Sequence, residues 1–559
     1  MPVRLNKDVN WGTSSDGSLQ SQLEQSQRQA MQGMDVPWLL DQWAERSPDK
    51  PFVIWEPFVG EGMTWSYARF RADARAFAAG LHRSGVKEGE FVLLHMDNSP
   101  EFLIAWFACA ILGAVVVSTN TRSVAGDLTY FREQTQAVCA ITQSCFAILI
   151  QEACPELRLI VVTDNDEDVP VEPRSGARMA RFSALMTGSG PVPIRTTEPF
   201  ANLGVQFTSG TTSRPKAVLW THANAIWSGM VSAAHMRLQD DDIALVNLPL
   251  FHTNAQAYSM LTTLWCGSTM VLQPKFSASR FWPISVKHKV TWLSTIPFAI
   301  KALEGREIPP NHYRFWGLSA NHPEVTDHFG IRTIGWWGMT ETVTQGIVTD
   351  LNHAGPRLSM GRAAPEYAIQ IIKEDGEPAG PGERGRLFIR GVRGVSLFKE
   401  YYGDPAATSM AFDANGWFDT GDVVLMSPEG YLFFGDRDKD MLRVGSENVA
   451  ASEIEAVILQ SGLVEECAVV GRSHYMLDEV PVAFVVPKDA NSTTVCADII
   501  AHCSANLAAF KVVREVHVLD QLPRGLMEKI QKKALRDLLV PIDATATQVA
   551  AGTDKKKEA

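Results

Sequence analysis

Apolar positions in this chain recur at two spacings, and the switches between them outline its elements. From Trp65 onward, Phe70, Ala74, Phe77, Ala78 and Leu81 follow one another at helical spacing, and Gly85 supplies a helix end. A strand over 91–95 comes next. The apolar stretch 102–117 is shorter than the roughly 20 residues a membrane span needs. Pro100 suits a first helical turn and Gly113 the position just past a helix end, so the stretch divides into a buried helix and a strand over 114–117. Strands over 137–142 and 159–162 flank a helix after Cys145. Strands over 244–248, 269–272 and 291–295 accompany a helix over 255–265. Alternation of this kind predicts an α/β fold of layered, largely parallel sheets with ligands at the strands' carboxyl ends.

The turn-rich run DGEPAGPGERG (375–385), followed by a strand over 386–389, opens a β-rich lobe. Near 437–440 the character changes again, to two helices and several strands reaching about residue 540. The predicted organisation is a polar N-terminal extension over 1–35, a large N-terminal domain over 36–436, a small mobile α+β C-terminal domain over 437–543 and a disordered tail over 544–559. Within the extension, the Ser- and Gln-rich stretch 11–34 reads either as mobile chain or as a polar helix.

Composition narrows the class. With 559 residues, 45% hydrophobic and 20% charged, the chain can bury extensive cores, which excludes collagenous, coiled-coil and wholly disordered proteins. A net charge of −12 argues against a nucleic-acid partner, because phosphate neutralisation needs a basic face. The eight cysteines show no CxxC pair and no histidine at metal-ligand spacing, and MPVRLNKDVN lacks a signal-peptide core. These features predict a cytoplasmic protein with reduced thiols and no membrane partner.

Chemistry concentrates in a few segments. FTSGTTSRPK (207–216) packs five hydroxyl side chains and Gly210 behind Leu203, Val205 and Phe207. The hydroxyls and backbone N–H groups of Thr208, Ser209, Thr211 and Thr212, close approach at Gly210 and the charge of Lys216 suit a polyphosphate; the bland alternative is a polar turn. It is not a Walker A loop, because no glycine directly precedes Lys216 and Ala217 follows it. In WGMTE (337–341) a carboxylate can join phosphate oxygens and waters around magnesium, although a Thr-Glu pair also opens helices. In WFDTGD (417–422) the final aspartate can accept two hydrogen bonds from a diol or simply close a turn. GYLFFGDRDKDMLRVGSENVAASEIE (430–455) and PRGLMEKIQKKALR (523–536) carry charge clusters whose ordinary meaning is a solvated face.

In order and spacing these five segments resemble those of the adenylate-forming superfamily, which includes acyl- and aryl-CoA ligases, luciferases and peptide-synthetase adenylation domains. The resemblance runs from about 36 to 539. DNSPEF (97–102), FKEYYGDPAAT (398–408) and SENVAASEIE (446–455) look most like crotonobetaine/carnitine-CoA ligases and their relatives. It implies ATP and coenzyme A as cosubstrates, Mg²⁺ as cofactor and a carboxylic acid as substrate. A carboxylate attacks the α-phosphate, pyrophosphate leaves, and coenzyme A takes the acyl group from the adenylate after a domain rotation.

By the same resemblance, Thr208, Ser209, Gly210, Thr211, Thr212 and Lys216 form the phosphate loop, and Gly317, Leu318 and Ser319 contact adenine. Trp337 stacks on adenine beside Gly338 and Met339, Thr340 touches the α-phosphate, and Glu341 binds the metal. Asp422 holds the ribose, Arg437 reaches ribose or phosphate, Lys439 is the hinge and Lys529 the catalytic lysine. Ala217 and Glu528 stand where glycines are common, and WGLSANHP (316–323) departs from the usual GGAP-like adenine loop.

The implied acyl pocket lies beside LPLFHTNAQA (248–257), with His252 at a gating position and Asn254 and Ala255 on the wall. This segment lacks the aspartate that peptide-synthetase domains usually carry hereabouts, which disfavours amino acids. Fifteen tryptophans, among them Trp227, Trp265, Trp316, Trp336 and Trp337, suit a bulky apolar acid or, through cation–π contact, a quaternary ammonium acid; most read as core. Transfer of acyl-AMP to a carrier protein or a separate partner enzyme is one alternative, and a non-catalytic nucleotide-binding role is another.

Overall fold

The computed structural model describes residues 17–164, 178–187, 195–208, 215–353, 355–373, 375–437, 441–445, 447–489, 492–524 and 530–539. Two large sheets and one smaller sheet organise them. The first has 13 strands. Its parallel half runs Thr333–Trp337, Phe315–Leu318, Trp292–Ser294, Ile243–Val246, Thr269–Leu272 and Pro51–Trp55. Its other half is antiparallel, through Ser359–Ala363, Leu432–Arg437, Trp417–Met426, Arg384–Arg390 and Ala368–Ile372, as the expected β-rich lobe. The second sheet has 8 strands and a parallel centre of Asn202–Thr208, Val115–Ser118, Phe91–His95, Cys139–Thr142 and Leu159–Val162.

Helix Pro100–Leu112 shows why the apolar stretch is core. Ser99 Oγ accepts from Phe102 N at 3.1 Å, Pro100 fills the first turn, and Gly113 closes the helix at φ 78°. Phe102, Leu103 and Phe107 are fully buried, and Trp106 and Ile104 nearly so. Each such side chain contributes roughly 1.5–3 kcal/mol. A helix apolar on all sides belongs between layers. Among the described residues no helix is long and apolar enough to cross a membrane.

The Ser- and Gln-rich segment is a helix over Gly17–Ala30. It is tied down where Gln27 Oε1 accepts from Ser396 Oγ at 2.9 Å and Arg28 donates to the Arg393 carbonyl at 3.2 Å. The expected helix 255–265 divides into a π-helix, Asn254–Leu261, and a short α-helix, Thr262–Cys266. Apolar spacing reports a helical face but not which carbonyl each N–H selects. The last part forms a 5-stranded sheet with its own apolar cluster around Ile454, Ile458, Val469, Val485 and Ile499.

Helix Tyr67–Arg83 packs so closely on helix Phe182–Met186 that a Cβ at Gly80 would collide with the Leu185 carbonyl. Gly80→Ala is expected to destabilise the protein by about 1–3 kcal/mol, read as a lowered midpoint in thermal or denaturant unfolding.

Candidate active site

Strand ends converge on one cleft of about 1080 Å³. Thr208 and Ser118 end parallel strands of the 8-stranded sheet, and Trp337 ends one of the 13-stranded sheet. Thr295 and Ser319 follow two more. Strand carboxyl ends are where such sheets leave room and directed backbone groups for a ligand. Lys216, His252, Asn254, Gly338, Met339, Thr340, Glu341 and Asp422 also line the cleft.

The Thr340–Glu341 pair is held from several sides. The carbonyl of Thr340 accepts from Trp220 Nε1 at 2.9 Å, and that of Glu341 accepts from Phe398 N at 2.8 Å. The Thr253 hydroxyl hydrogen-bonds with the Thr340 hydroxyl at 2.8 Å and with Gln206 Oε1 at 2.7 Å. A 3₁₀ turn over Thr340–Thr342 leads into Val343 at φ 56°, a left-handed conformation unusual for a β-branched residue. Such strain persists only where surroundings over-determine the backbone.

Glu341 is buried, and Tyr401 OH donates to its Oε1 at 2.9 Å. The Lys216 ammonium lies 4.4 Å from the centroid of the Tyr401 ring. Burial pushes the Glu341 carboxyl up from its ordinary value, with Asp422 adding to the rise, against the opposing pull of backbone and Tyr401 hydrogen bonds and Lys216. Burial, and the neighbouring Glu341 charge, push the Tyr401 phenol up strongly, so it remains a donor. Among the described residues no three His, Cys, Asp or Glu side chains form a metal cage. One buried carboxylate nevertheless fits an ion that arrives already bound to phosphates, because magnesium keeps several waters and takes only one or two protein carboxylates.

Asp422 and Trp337 form the next pair: the indole N–H donates to Asp422 Oδ2 at 2.8 Å in buried surroundings. Asp422 is paired in register with Arg437 across adjacent strands. Ser319 lines the cleft, whereas Gly317 and Leu318 do not. Gly317 lies beneath the Trp336 ring, where any Cβ would collide, and Leu318 is buried in the core. Their side positions therefore offer adenine no surface.

At the other end, Asn254 accepts from Ser294 Oγ at 2.5 Å, but Ala255 turns into the core and does not line the cleft. Its place on the acyl wall is corrected on that ground: the π-helical turn presents Asn254 and Tyr258 instead. His252 Nε2 lies 3.2 Å from the Glu447 carboxylate, which belongs to the C-terminal unit. Burial alone would raise the Glu447 carboxyl, but His252, Arg122 and Asn120 together draw it below the ordinary range. Ser209, Gly210, Thr211, Thr212, Lys439, Glu528 and Lys529 lie outside the described residues, as does the side chain of Arg437.

Sequence reasoning did not single out Gln206, Thr253, Tyr258, Tyr401 or Glu447. Tyr401 and Glu447 stand within FKEYYGDPAAT and SENVAASEIE. What marks them is a partner far along the chain, which local pattern does not disclose.

Known proteins share this chain's sequence and fold. The chain matches the AMP-binding enzyme family over residues 40–402 and the AMP-binding enzyme C-terminal domain over residues 453–526. It is 32% identical over 522 residues to a crotonobetaine/carnitine–CoA ligase of Salmonella paratyphi A, covering 90% of this chain and 99% of that one. Among solved structures, a double mutant of o-succinylbenzoate CoA synthetase from Bacillus subtilis, bound with its product analogue OSB-NCoA, superposes with a TM-score of 0.78. That protein is 25% identical, with 90% of this chain and 99% of that one covered. The same synthetase in complex with ATP and magnesium gives a TM-score of 0.64 at 26% identity, covering 90% of this chain and 98% of that one. Matched by the family along most of its length and by full-length relatives at this identity, the chain belongs to the AMP-binding enzyme family.

Proposed function

We propose that Lys216, Thr340, Glu341, Asp422 and Lys529 serve the adenylation step of this protein and that His252 and Glu447 serve thioester formation. The protein is an AMP-forming acid–thiol ligase: it activates a carboxylic acid with ATP and passes the acyl group to coenzyme A. The observation that carries the assignment is the single cleft in which Lys216, Thr340, Glu341 and the Trp337–Asp422 pair line one region while Glu447 of the C-terminal unit meets His252.

In the first step a carboxylate oxygen of the acid attacks the α-phosphorus, the bond to the bridging oxygen breaks, and pyrophosphate leaves. Magnesium, when bound at Glu341, neutralises charge on the phosphoryl oxygens. The Thr340 hydroxyl, fixed by Thr253, is aimed for the α-phosphoryl oxygens. Lys216 offsets phosphate charge, and Asp422, oriented by the Trp337 indole, accepts from ribose hydroxyls. Pre-positioned donors of this kind need no reorganisation as charge develops.

In the second step the sulfur of coenzyme A attacks the acyl carbon and AMP departs. The closer superposition on the coenzyme-A-analogue complex than on the ATP complex supports reading the described arrangement as the thioester-forming one. Here Glu447, with Arg122 at 3.9 Å, fastens the C-terminal unit to His252 at the acyl side.

Incubation with ATP, Mg²⁺ and a panel of carboxylic acids, with and without coenzyme A, is expected to give acyl-CoA by mass spectrometry for at least one acid. Acyl-AMP that accumulates despite coenzyme A would instead mean delivery to a carrier protein or partner enzyme. Lys529→Ala is expected to suppress adenylation by about 10²–10³-fold while thioester formation from supplied acyl-AMP falls far less. Equal loss in both steps would defeat the assignment. Glu447→Ala should act the other way, slowing thioester formation about tenfold and sparing pyrophosphate release, as single-turnover assays of each step would show.

Because the folded state raises the Glu341 pKa, ionised Glu341 lowers stability once pH exceeds the unfolded value. Glu341→Gln is therefore expected to raise the melting temperature of the ligand-free protein at neutral pH. That gain should vanish as pH falls below the ordinary glutamate range, while magnesium-dependent pyrophosphate release drops at every pH.

A further inference from the structure

Two hydrogen-bond donors in the cleft are left over by the reaction just described. Tyr258, on the π-helix Asn254–Leu261, is 5% exposed, and Trp336, on strand Thr333–Trp337, is 4% exposed; both line the cleft. Their rings meet edge-on with centroids 5.7 Å apart. Among the described residues none hydrogen-bonds to the Tyr258 hydroxyl or to the Trp336 indole N–H. Neither donor atom is sealed in the interior: both open on the cleft, where whatever occupies it, water or a ligand, meets them. The buried phenol is pushed up in pKa by desolvation, so it carries its proton at neutral pH.

Their position ties them to the acid. The Tyr258 hydroxyl occupies the space a side chain at residue 338 would need, two residues from Thr340. The Trp336 ring lies over Gly317, where a Cβ would collide, and so closes the space between strands Phe315–Leu318 and Thr333–Trp337. A carboxylate placed near Thr340 would lead its acyl group past Gly338 toward this aromatic pair. Neither the helix Asn254–Leu261 nor the strand Thr333–Trp337 carries a carboxylate to neutralise a cation. The wall offers donors, and donors select acceptors.

We propose that the substrate is a compact carboxylic acid bearing a hydroxyl, keto or similar acceptor oxygen, which takes hydrogen bonds from Tyr258 and Trp336. This rests on the acid–thiol ligase reading above and names the substrate class of that same site. A polar group built to meet a substrate oxygen rejects the analogue that lacks it far more strongly than an apolar wall rejects an extra methylene.

The test compares kcat/KM for pyrophosphate release between acids matched in carbon skeleton, with and without an oxygen substituent, in wild type and in Tyr258→Phe. A trimethylammonium-bearing acid and a long-chain acid complete the panel. Wild type is expected to prefer an oxygenated acid by roughly tenfold or more, and Tyr258→Phe to bring that ratio down toward one. A merely structural role would lower kcat/KM for both members of a pair alike and leave the ratio intact, which would overturn the proposal. Preference for the unsubstituted, long-chain or trimethylammonium acid would overturn it as well while the ligase reading stands. Pyrophosphate release with no acid at all would overturn the ligase reading and this inference together.

Discussion

A carboxylate kept in a dry place is the constraint around which this molecule is arranged. Glu341 follows the last parallel strand of the 13-stranded sheet, whereas Tyr401 belongs to an edge strand of the 8-stranded sheet and Lys216 to the strand beside it. The Tyr401–Glu341 hydrogen bond and the Lys216 charge therefore reach from one sheet to the other. An ionised carboxylate without such partners would be heavily penalised at this depth. With them it remains raised in pKa, a state that a metal cation can relieve when it binds. Stability of the ligand-free protein and the charge stabilisation proposed for the reaction pull on this one residue in opposite directions.

The neighbouring groups extend that arrangement by hydrogen bonds rather than by flexible charges. Thr253 fixes the Thr340 hydroxyl, Gln206 fixes Thr253, and Gln256 bonds both Gln206, at 3.2 Å, and Ser118, at 2.9 Å. These side chains come from two strands, a π-helix, the residue that precedes it and a 3₁₀ turn, so this end of the cleft is braced largely by regular elements. The π-helical turn belongs to the same logic, since such turns sacrifice ideal hydrogen bonding to present side chains differently from an α-helix. The C-terminal unit reaches the same cleft with Arg443, Glu447, Glu479, Ala508, Phe510, Lys511 and Arg536 among its lining residues.

Much of the architecture was legible because it rests on local rules. The strands Phe91–His95, Leu159–Val162 and Thr269–Leu272 begin and end where short apolar runs do. The boundaries of helix Pro100–Leu112 follow from Ser99, Pro100 and Gly113. WGMTE and WFDTGD were legible as site segments, since Thr340, Glu341 and Asp422 all line the cleft. Positions set by side-chain direction were not. Ala255 and Asn254 are adjacent in sequence, yet one fills the core and the other faces the cleft, and only the π-helical register separates them. Gly317 is the flat seat of the Trp336 ring, a close approach that no local pattern announces.

Sequence by itself determined the α/β class, the succession of elements and the chemical types available for phosphate, metal and ribose, because turn residues, apolar spacing and short segments act over a few neighbours. Tertiary structure alone decided that Tyr401 hydrogen-bonds Glu341 across 60 residues of chain and that Glu447 meets His252 across 195. It likewise decided that Tyr258 and Trp336 share one wall. The physical reason is that burial and partnership, which set a group's charge and its donors, are properties of what packs against it in space.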